Sequence, residues 1–267
     1  MRTLLGIVTI TLSASVVLAA DVRDLGVPAG WRASDYDRHG YDLLNKDDYE
    51  NARRYFDAAI RTDPYMWTAY YNRAVTFCQQ KKWTAALQDL NSTIRLKPSF
   101  FDASFLRVGV NSKLGNYKAC IADLNTLAIL GSTVRNRFTQ AHALNARAWL
   151  MATCPEQSIR NGQVAIADAK RACELTKWEF GSYIDTLAAA YAEAGDFDSA
   201  IRNEEKAIGT AGAEPEETFA LATQLFSKRD AMQLAKKAAQ TVGPTQQRFS
   251  KRLEFYKQHR PYRETPE

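Results

Sequence analysis

Residues 64–98 read PYMWTAYYNRAVTFCQQKKWTAALQDLNSTIRLKP. Pro64 and Pro98 bracket the stretch, and Ala74, Trp83, Ala86 and Leu90 stand inside it. Working outward, each of these has counterparts 34 residues away. Gly40 and Val108 flank Ala74, and Tyr49 and Tyr117 flank Trp83. Ala52 and Cys120 flank Ala86, and Phe56 and Leu124 flank Leu90. Ser132 stands where a third Pro would fall. A fixed period in this range marks a repeat array.

The pattern has a physical reason. A small residue at Gly40 or Ala74 lets the first helix of a pair approach the second, and Ala52 and Ala86 do the same from the other side. The aromatic at Tyr49, Trp83 or Tyr117 opens the second helix and fills the space between neighbours. Pro64 and Pro98 end it, because Pro disfavours helical geometry in the residue before it. One such pair cannot bury its apolar face alone, so units stack.

These positions together resemble the tetratricopeptide repeat. Three units cover about 33–66, 67–100 and 101–134. A further clear unit, about 181–212, carries Ala188, Tyr191, Gly195, Phe197, Ala200 and Ala207 at the same internal offsets. Between them, 140–180 reads as a stretched unit, with Ala148 and Met151 on its first helix and Ala165, Ala169 and Ala172 on its second. Its loop, Thr153 to Gly162, is about five residues longer than the pattern, with Pro155 as a stop and Asn161-Gly162 as a turn signal. Residues 213–243 read as a degenerate helical pair. A capping helix over 244–260 places Phe249, Leu253 and Tyr256 on one side, and 261–267 is a tail. The resemblance implies an all-α fold, a right-handed superhelical solenoid of antiparallel helix pairs closed by that C-terminal helix, with no sheet.

The N-terminus carries a different signal. Arg2 precedes an uncharged, mostly apolar run from Leu4 to Leu18, and Val17-Leu18-Ala19 places small residues at the −3 and −1 positions of a cleavage site. This is the layout of a signal peptide, 1–19, followed by a linker over 20–32. It predicts an exported protein, periplasmic or secreted, with an uncleaved N-terminal anchor as the alternative. No Cys follows the site to carry a lipid. The four cysteines, Cys78, Cys120, Cys154 and Cys173, are even in number. The repeat register places Cys154 and Cys173 at opposite ends of their helix pair, so no bond between them is expected.

Composition narrows the function. Charged residues make up 24%, with 35 Lys+Arg against 30 Asp+Glu, which does not suggest a nucleic-acid binder. His39, His142 and His259 fall in different units without metal-ligand spacing to another His or Cys. No phosphate loop and no nucleophile elbow is present. The expectation is a non-enzyme without cofactor or metal.

In the family, the first helix of each unit lines a concave groove. Carried onto this sequence, that implies Asp37, Tyr41 and Leu44, then Thr68, Tyr71, Val75, Cys78 and Gln79, then Asp102, Phe105, Gly109 and Lys113. The stretched unit gives His142, Asn145 and Trp149, and the next gives Asp185, Ala189 and Glu193. The expected partner-binding groove is Tyr41, Tyr71, Val75, Gln79, Phe105, Lys113, Asn145 and Trp149. Its aromatic line either binds a peptide or packs against the next unit. The clamp by which some members grip a chaperone's C-terminal carboxylate needs basic residues that Asp37 and Asp102 replace. Only Asn72 matches it, so that ligand is not expected.

Residues 228–267 hold ten Lys+Arg and four Asp+Glu. This basic end suggests docking to an acidic partner or peripheral contact with an anionic membrane. The reading is a non-catalytic scaffold or adaptor in the cell envelope that binds a protein or peptide partner. The alternatives are a self-associating structural protein and an enzyme with an unrecognised site.

Overall fold

The structure, a computed structural model, describes residue 26, residues 30–210 and residues 247–263. Every regular element among the described residues is helical. The helices are α1 (Ala33–Leu44), α2 (Tyr49–Thr62), α3 (Trp67–Gln79), α4 (Trp83–Leu96), α5 (Phe101–Lys113), α6 (Tyr117–Thr133), α7 (Arg137–Thr153), α8 (Gly162–Leu175), α9 (Gly181–Glu193) and α10 (Phe197–Thr210). A helix over 247–257, α11, closes the order. A short 3-10 turn, Gln157–Ile159, interrupts the long loop after α7. The expectations for 1–19, for 213–243 and for the last four residues lie outside the described residues, as does most of the linker.

Contacts divide the chain into two units, Met1–Leu114 and Gly115–Glu267. The third sequence repeat is shared between them, α5 in unit 1 and α6 in unit 2. In unit 1, α1 packs on α2, α2 on α3, α3 on α4 and α4 on α5. In unit 2, α6 packs on α7, α7 on α8, α8 on α9 and α9 on α10, and α7 also touches α9.

The sequence explains where these helices start and stop. Asp48 caps α2 by accepting from the Asn51 amide at 3.3 Å, Asn136 caps α7 through Thr139 N–H at 3.1 Å, and Asn161 caps α8 through Val164 N–H at 3.1 Å. Such caps satisfy N–H groups that the first turn leaves without helical partners. The C-terminal ends of α1, α3 and α9 share one device. Asp47, Lys81 and Gly195 lie in the left-handed region with φ of 60°, 56° and 86°. The next residue in each case donates back across the turn, Asp48 to Leu43 (3.0 Å), Lys82 to Phe77 (2.8 Å) and Asp196 to Tyr191 (3.0 Å). This is the Schellman closure of a helix end, and in unit 1 it recurs 34 residues apart.

The cores are built from alanine at the crossings and one large residue beside them. Ala52, Ala74, Ala86, Ala103, Phe56 and Leu90 are all fully buried in unit 1. A Cβ placed on Gly40 would stand 2.7 Å from the Phe56 ring, so that crossing requires glycine. Burying a side chain such as Phe56 or Leu90 contributes about 1.5–3 kcal/mol. Unit 2 repeats the scheme with Ala148, Ala165, Ala169 and Leu187.

A polar lock ties neighbouring pairs. Arg73 on α3 donates to both oxygens of Asp89 on α4 at 2.7 Å and to Asp57 on α2 at 2.6 Å. Arg107 on α5 reaches Asn91 on α4 at 2.8 Å. In unit 2, Arg147 on α7 grips Asp168 on α8 at 2.6 and 2.7 Å and also meets Asn125 on α6. Planar guanidinium suits such bidentate contacts.

The end of unit 2 is closed by α11. Phe249, Leu253 and Tyr256 are buried, and Tyr256 packs among Ala188, Ala192 and Ala200 of α9 and α10. His259, at φ 54°, ends the helix, and its ring meets Phe197 edge-on at 5.3 Å.

Candidate functional site

In unit 1 the first helices of successive repeats form a groove of about 470 Å3. Its wall includes Asp37, Arg38 and Tyr41 from α1, Trp67, Tyr71 and Asn72 from α3, and Phe100 from the turn before α5. Phe100 stands at the centre, 4.7 Å from the Trp67 ring and 4.8 Å, edge-on, from Tyr71. Tyr41 is 43% exposed at the rim. Burial, with the Asp102 carboxylate and others nearby, pushes the Tyr71 phenol up to about 12. Asp37 accepts from the Asn72 side-chain amide at 3.0 Å. Asp102, half-buried at the start of α5, has its carboxyl pushed up by burial.

The predicted groove residues fall into separate places. Tyr41 and Tyr71 line the unit 1 groove together. Val75 and Phe105 are half-buried, while Gln79 and Lys113 are exposed, and none of these four belongs to the groove wall. The ring that joins Tyr71 is Phe100, not Phe105. Phe100 escapes a count of helix positions because it sits one residue before α5 begins, where the chain turns back over the preceding pair.

Asn145 and Trp149 belong to unit 2, and there the face is occupied by the chain itself. Arg252 of α11, only 3% exposed, reaches Asp185 of α9 at 2.5 Å. Its guanidinium also lies 5.2 Å from the centre of Trp149 and 5.4 Å from that of Tyr262. Tyr262 faces Trp149 at 6.0 Å. Arg263 pairs with Glu193 at 2.6 Å, and Arg160 from the long loop reaches the same carboxylate at 3.1 Å. Trp149 is therefore not free for a partner; Arg252 and Tyr262 cover it. Asn145 is half-buried, and its side-chain oxygen is fully buried without a donor among the described residues. The basic charge expected at the C-terminal end is partly internal, because Arg252 and Arg263 neutralise Asp185 and Glu193.

Glu204 of α10 completes this cluster. It is fully buried, 3.8 Å from Arg252, and burial beside the Asp185 carboxylate pushes its carboxyl up to about 10. One guanidinium thus stands beside two carboxyls, and burial favours the protonated form of the second.

The four thiols are free. Burial pushes Cys173 up to about 12 and Cys120 up to about 11. Among the described residues no group of His, Cys, Asp or Glu is arranged to hold a metal ion, and no helix is long and apolar enough to cross a membrane.

Residues 38–109 match the family model described as tetratricopeptide repeat. One relative is the mitochondrial import receptor subunit TOM70 of Homo sapiens, 34% identical over 87 residues, which are 31% of this chain and 14% of the receptor. Serine/threonine-protein phosphatase 5 of Homo sapiens is 27% identical over 96 residues, 36% of this chain and 19% of the phosphatase. The chain therefore spans less than a fifth of either relative's length. Among solved structures, a tetratricopeptide repeat protein from Parabacteroides merdae superposes with a TM-score of 0.59 at 18% identity, over 85% of this chain and 91% of that one. MamA from Desulfovibrio magneticus does so with a TM-score of 0.55 at 18% identity, over 70% and 99%. YrrB, described as a TPR protein with an unusual peptide-binding site, gives 0.52 at 18% identity, over 73% and 92%. Residues 38–109 are therefore tetratricopeptide repeats, and the helix pairs share the fold of these solved structures.

Proposed function

We propose that the protein is a non-catalytic adaptor that holds a segment of a partner protein in the groove of unit 1. The observation that carries this reading is the contrast between the groove and its surroundings. Large rings stand at a solvent-open wall, flanked by carboxylates, on a scaffold of rigid helices. Aromatic side chains of this kind dominate interface energetics because they bury much surface at little entropic cost. Extended faces built by stacked repeats are the binding surfaces of solenoid proteins. The peptide-binding site in YrrB's description is in keeping with this.

We place the protein outside the cytoplasm on the strength of residues 1–20 alone. Sequencing the mature protein from its source is expected to find Ala20 at the N-terminus, and a chain still beginning at Met1 would refute cleavage.

The binding reading is tested with Tyr71→Ala in the full chain. Immobilised parent protein is expected to retain a partner from an extract of the source cells, and Tyr71→Ala to lose it. Hot-spot truncations cost about 2 kcal/mol or more of affinity. Thermal melting followed by circular dichroism accompanies the capture. If Tyr71→Ala melts early and regains capture on cooling below its transition, Tyr71 is a packing residue and the groove reading fails.

A further inference from the structure

The two units contain the same carboxylate at the same place. Asp37 is the fifth residue of α1 and Asp185 the fifth of α9. In unit 2 the chain shows what that position accepts: the Arg252 guanidinium at 2.5 Å, with the Trp149 and Tyr262 rings beside it. In unit 1 Asp37 has only the Asn72 amide and makes no ion pair among the described residues. Asp102, across Tyr71 from it in the sequence of helices, is half-buried and likewise has no ion pair among the described residues. The groove's own cation, Arg38, is exposed and held by Asp35 at 3.1 Å.

The physical consequence is a demand for positive charge. A partly desolvated carboxylate without a cation is held at a cost that an incoming guanidinium offsets through charge-assisted hydrogen bonds. Tyr41, Trp67 and Tyr71 offer ring faces to the same cation and apolar area to an aromatic neighbour in the ligand. Two carboxylates would repel an acidic peptide by the same Coulomb term.

We infer that the unit 1 groove selects a basic segment of its partner, one that carries arginine with an aromatic residue close by, the chemistry of this chain's own residues 252–263. The inference rests on the groove reading above and adds the class of ligand. Its counterpart in unit 2 is internal; its occupant in unit 1 is a separate protein.

The probe is a synthetic peptide with the sequence of residues 252–263, titrated into the full-length protein by calorimetry. A second peptide carries Glu at the positions of Arg252, Arg260 and Arg263. The first peptide is expected to bind and the second to bind at least about tenfold more weakly, with binding that falls as salt is raised. The double variant Asp37→Asn, Asp102→Asn keeps both side-chain shapes and the Asn72 contact. It is expected to lose about tenfold for the basic peptide and to gain for the acidic one. Circular dichroism melting of the double variant confirms that it is folded. If the acidic peptide binds as well as the basic one and Tyr71→Ala abolishes both, the groove stands and its basic preference is overturned. If the basic peptide binds equally to parent and double variant, it has exchanged into unit 2, and the inference falls. If neither peptide binds, the inference falls, and partner capture with Tyr71→Ala judges the groove separately. If light scattering shows the protein alone dimerising in a way the double variant abolishes, the occupant is a second copy, and the separate partner is overturned.

Discussion

Unit 1 and unit 2 present one kind of repeat face in two conditions. In unit 1 the face is open, with Tyr41 at a solvent-reached rim and Asp37 held by a neutral amide. In unit 2 it is closed, with Trp149 under Tyr262 and Asp185 gripped by a buried Arg252. The residues that build the two faces are of the same types: carboxylate, ring, small residue. Their difference lies in the C-terminal part of the chain. The helix over 247–257 and the residues after it pack within unit 2, so carboxylates that would be liabilities there become interior ion pairs. A repeat position therefore does not by itself define a binding site; among the described residues, the open face is the one that no other segment of the chain covers.

The strongest way to break this comparison is Arg252→Ala. It leaves Asp185 and Glu204 buried without their cation and opens space beside Trp149. Removing one partner of a buried ion pair costs about 3–5 kcal/mol, read as a fall in melting temperature or denaturant midpoint. Asp37→Ala, which removes one hydrogen bond at a partly open site, is expected to cost about 0.5–1.5 kcal/mol. Equal losses from the two variants would show that the two faces are not in different conditions.

A smaller effect tests the interior of unit 2. Glu204 is raised from its ordinary 4.5 to about 10 by burial and by Asp185, against the opposing pull of Arg252. The buried Tyr256 of α11 is near enough to feel the Glu204 and Asp185 carboxyls, and burial above all pushes its phenol up. At pH below about 4.5 the folded and unfolded chains both hold the Glu204 proton, and the group contributes nothing to the pH dependence. As pH rises from there toward 10 the unfolded chain has released the proton while the folded chain retains it, so stability declines across that window. Glu204→Gln removes the titration and keeps the shape. It is expected to melt with the parent at pH 4 and above it at pH 8, by about 1–3 kcal/mol, the cost of a polar group held buried in its disfavoured form. A variant that loses stability at pH 8 would mean that Glu204 is ionised and paired with Arg252.

Much of the helical scheme is legible in the sequence because it is local and periodic. The small residues at Gly40, Ala52, Ala74 and Ala86, the rings at Tyr49 and Trp83, and the stops at Pro64 and Pro98 report crossings made within one or two turns of themselves. The polar lock obeys the same interval: Asp57, Asn91 and Asn125 are 34 residues apart, as are Arg73 and Arg107. A reading confined to apolar positions passes over it, although period and charge together predict it. The site is less legible. Phe100 belongs to a turn and therefore has no helical face to be counted on. The pairing of Arg252 with Asp185 joins residues 67 apart through a segment with no repeat register, and composition reports its arginines only as basic charge. Nothing local distinguishes an arginine that faces solvent from one that closes a face of its own chain.

The smallest effect concerns the turns between paired helices, where the units differ again. Unit 2 places Gly195 at the left-handed position of its turn, while unit 1 places Asp47 and Lys81 there. An L residue in that conformation costs about 1–2 kcal/mol, and glycine gives back about 0.5–1 kcal/mol through the freedom of the unfolded chain. Lys81→Gly is therefore expected to stabilise the protein by about 0.5 kcal/mol, the small remainder of these opposed terms. Lys81 is the cleaner position, because the Asp47 carboxylate also accepts from the Tyr49 hydroxyl at 2.6 Å and its loss would mask the gain. Gly195→Ala is the mirror experiment and should cost about 0.5 kcal/mol by the same arithmetic, since a Cβ there meets nothing within 4 Å and only the backbone resists it. Equilibrium denaturation resolves the pair as shifts of opposite sign. Two shifts of the same sign would show that these turns are held by something other than the conformation of their central residue.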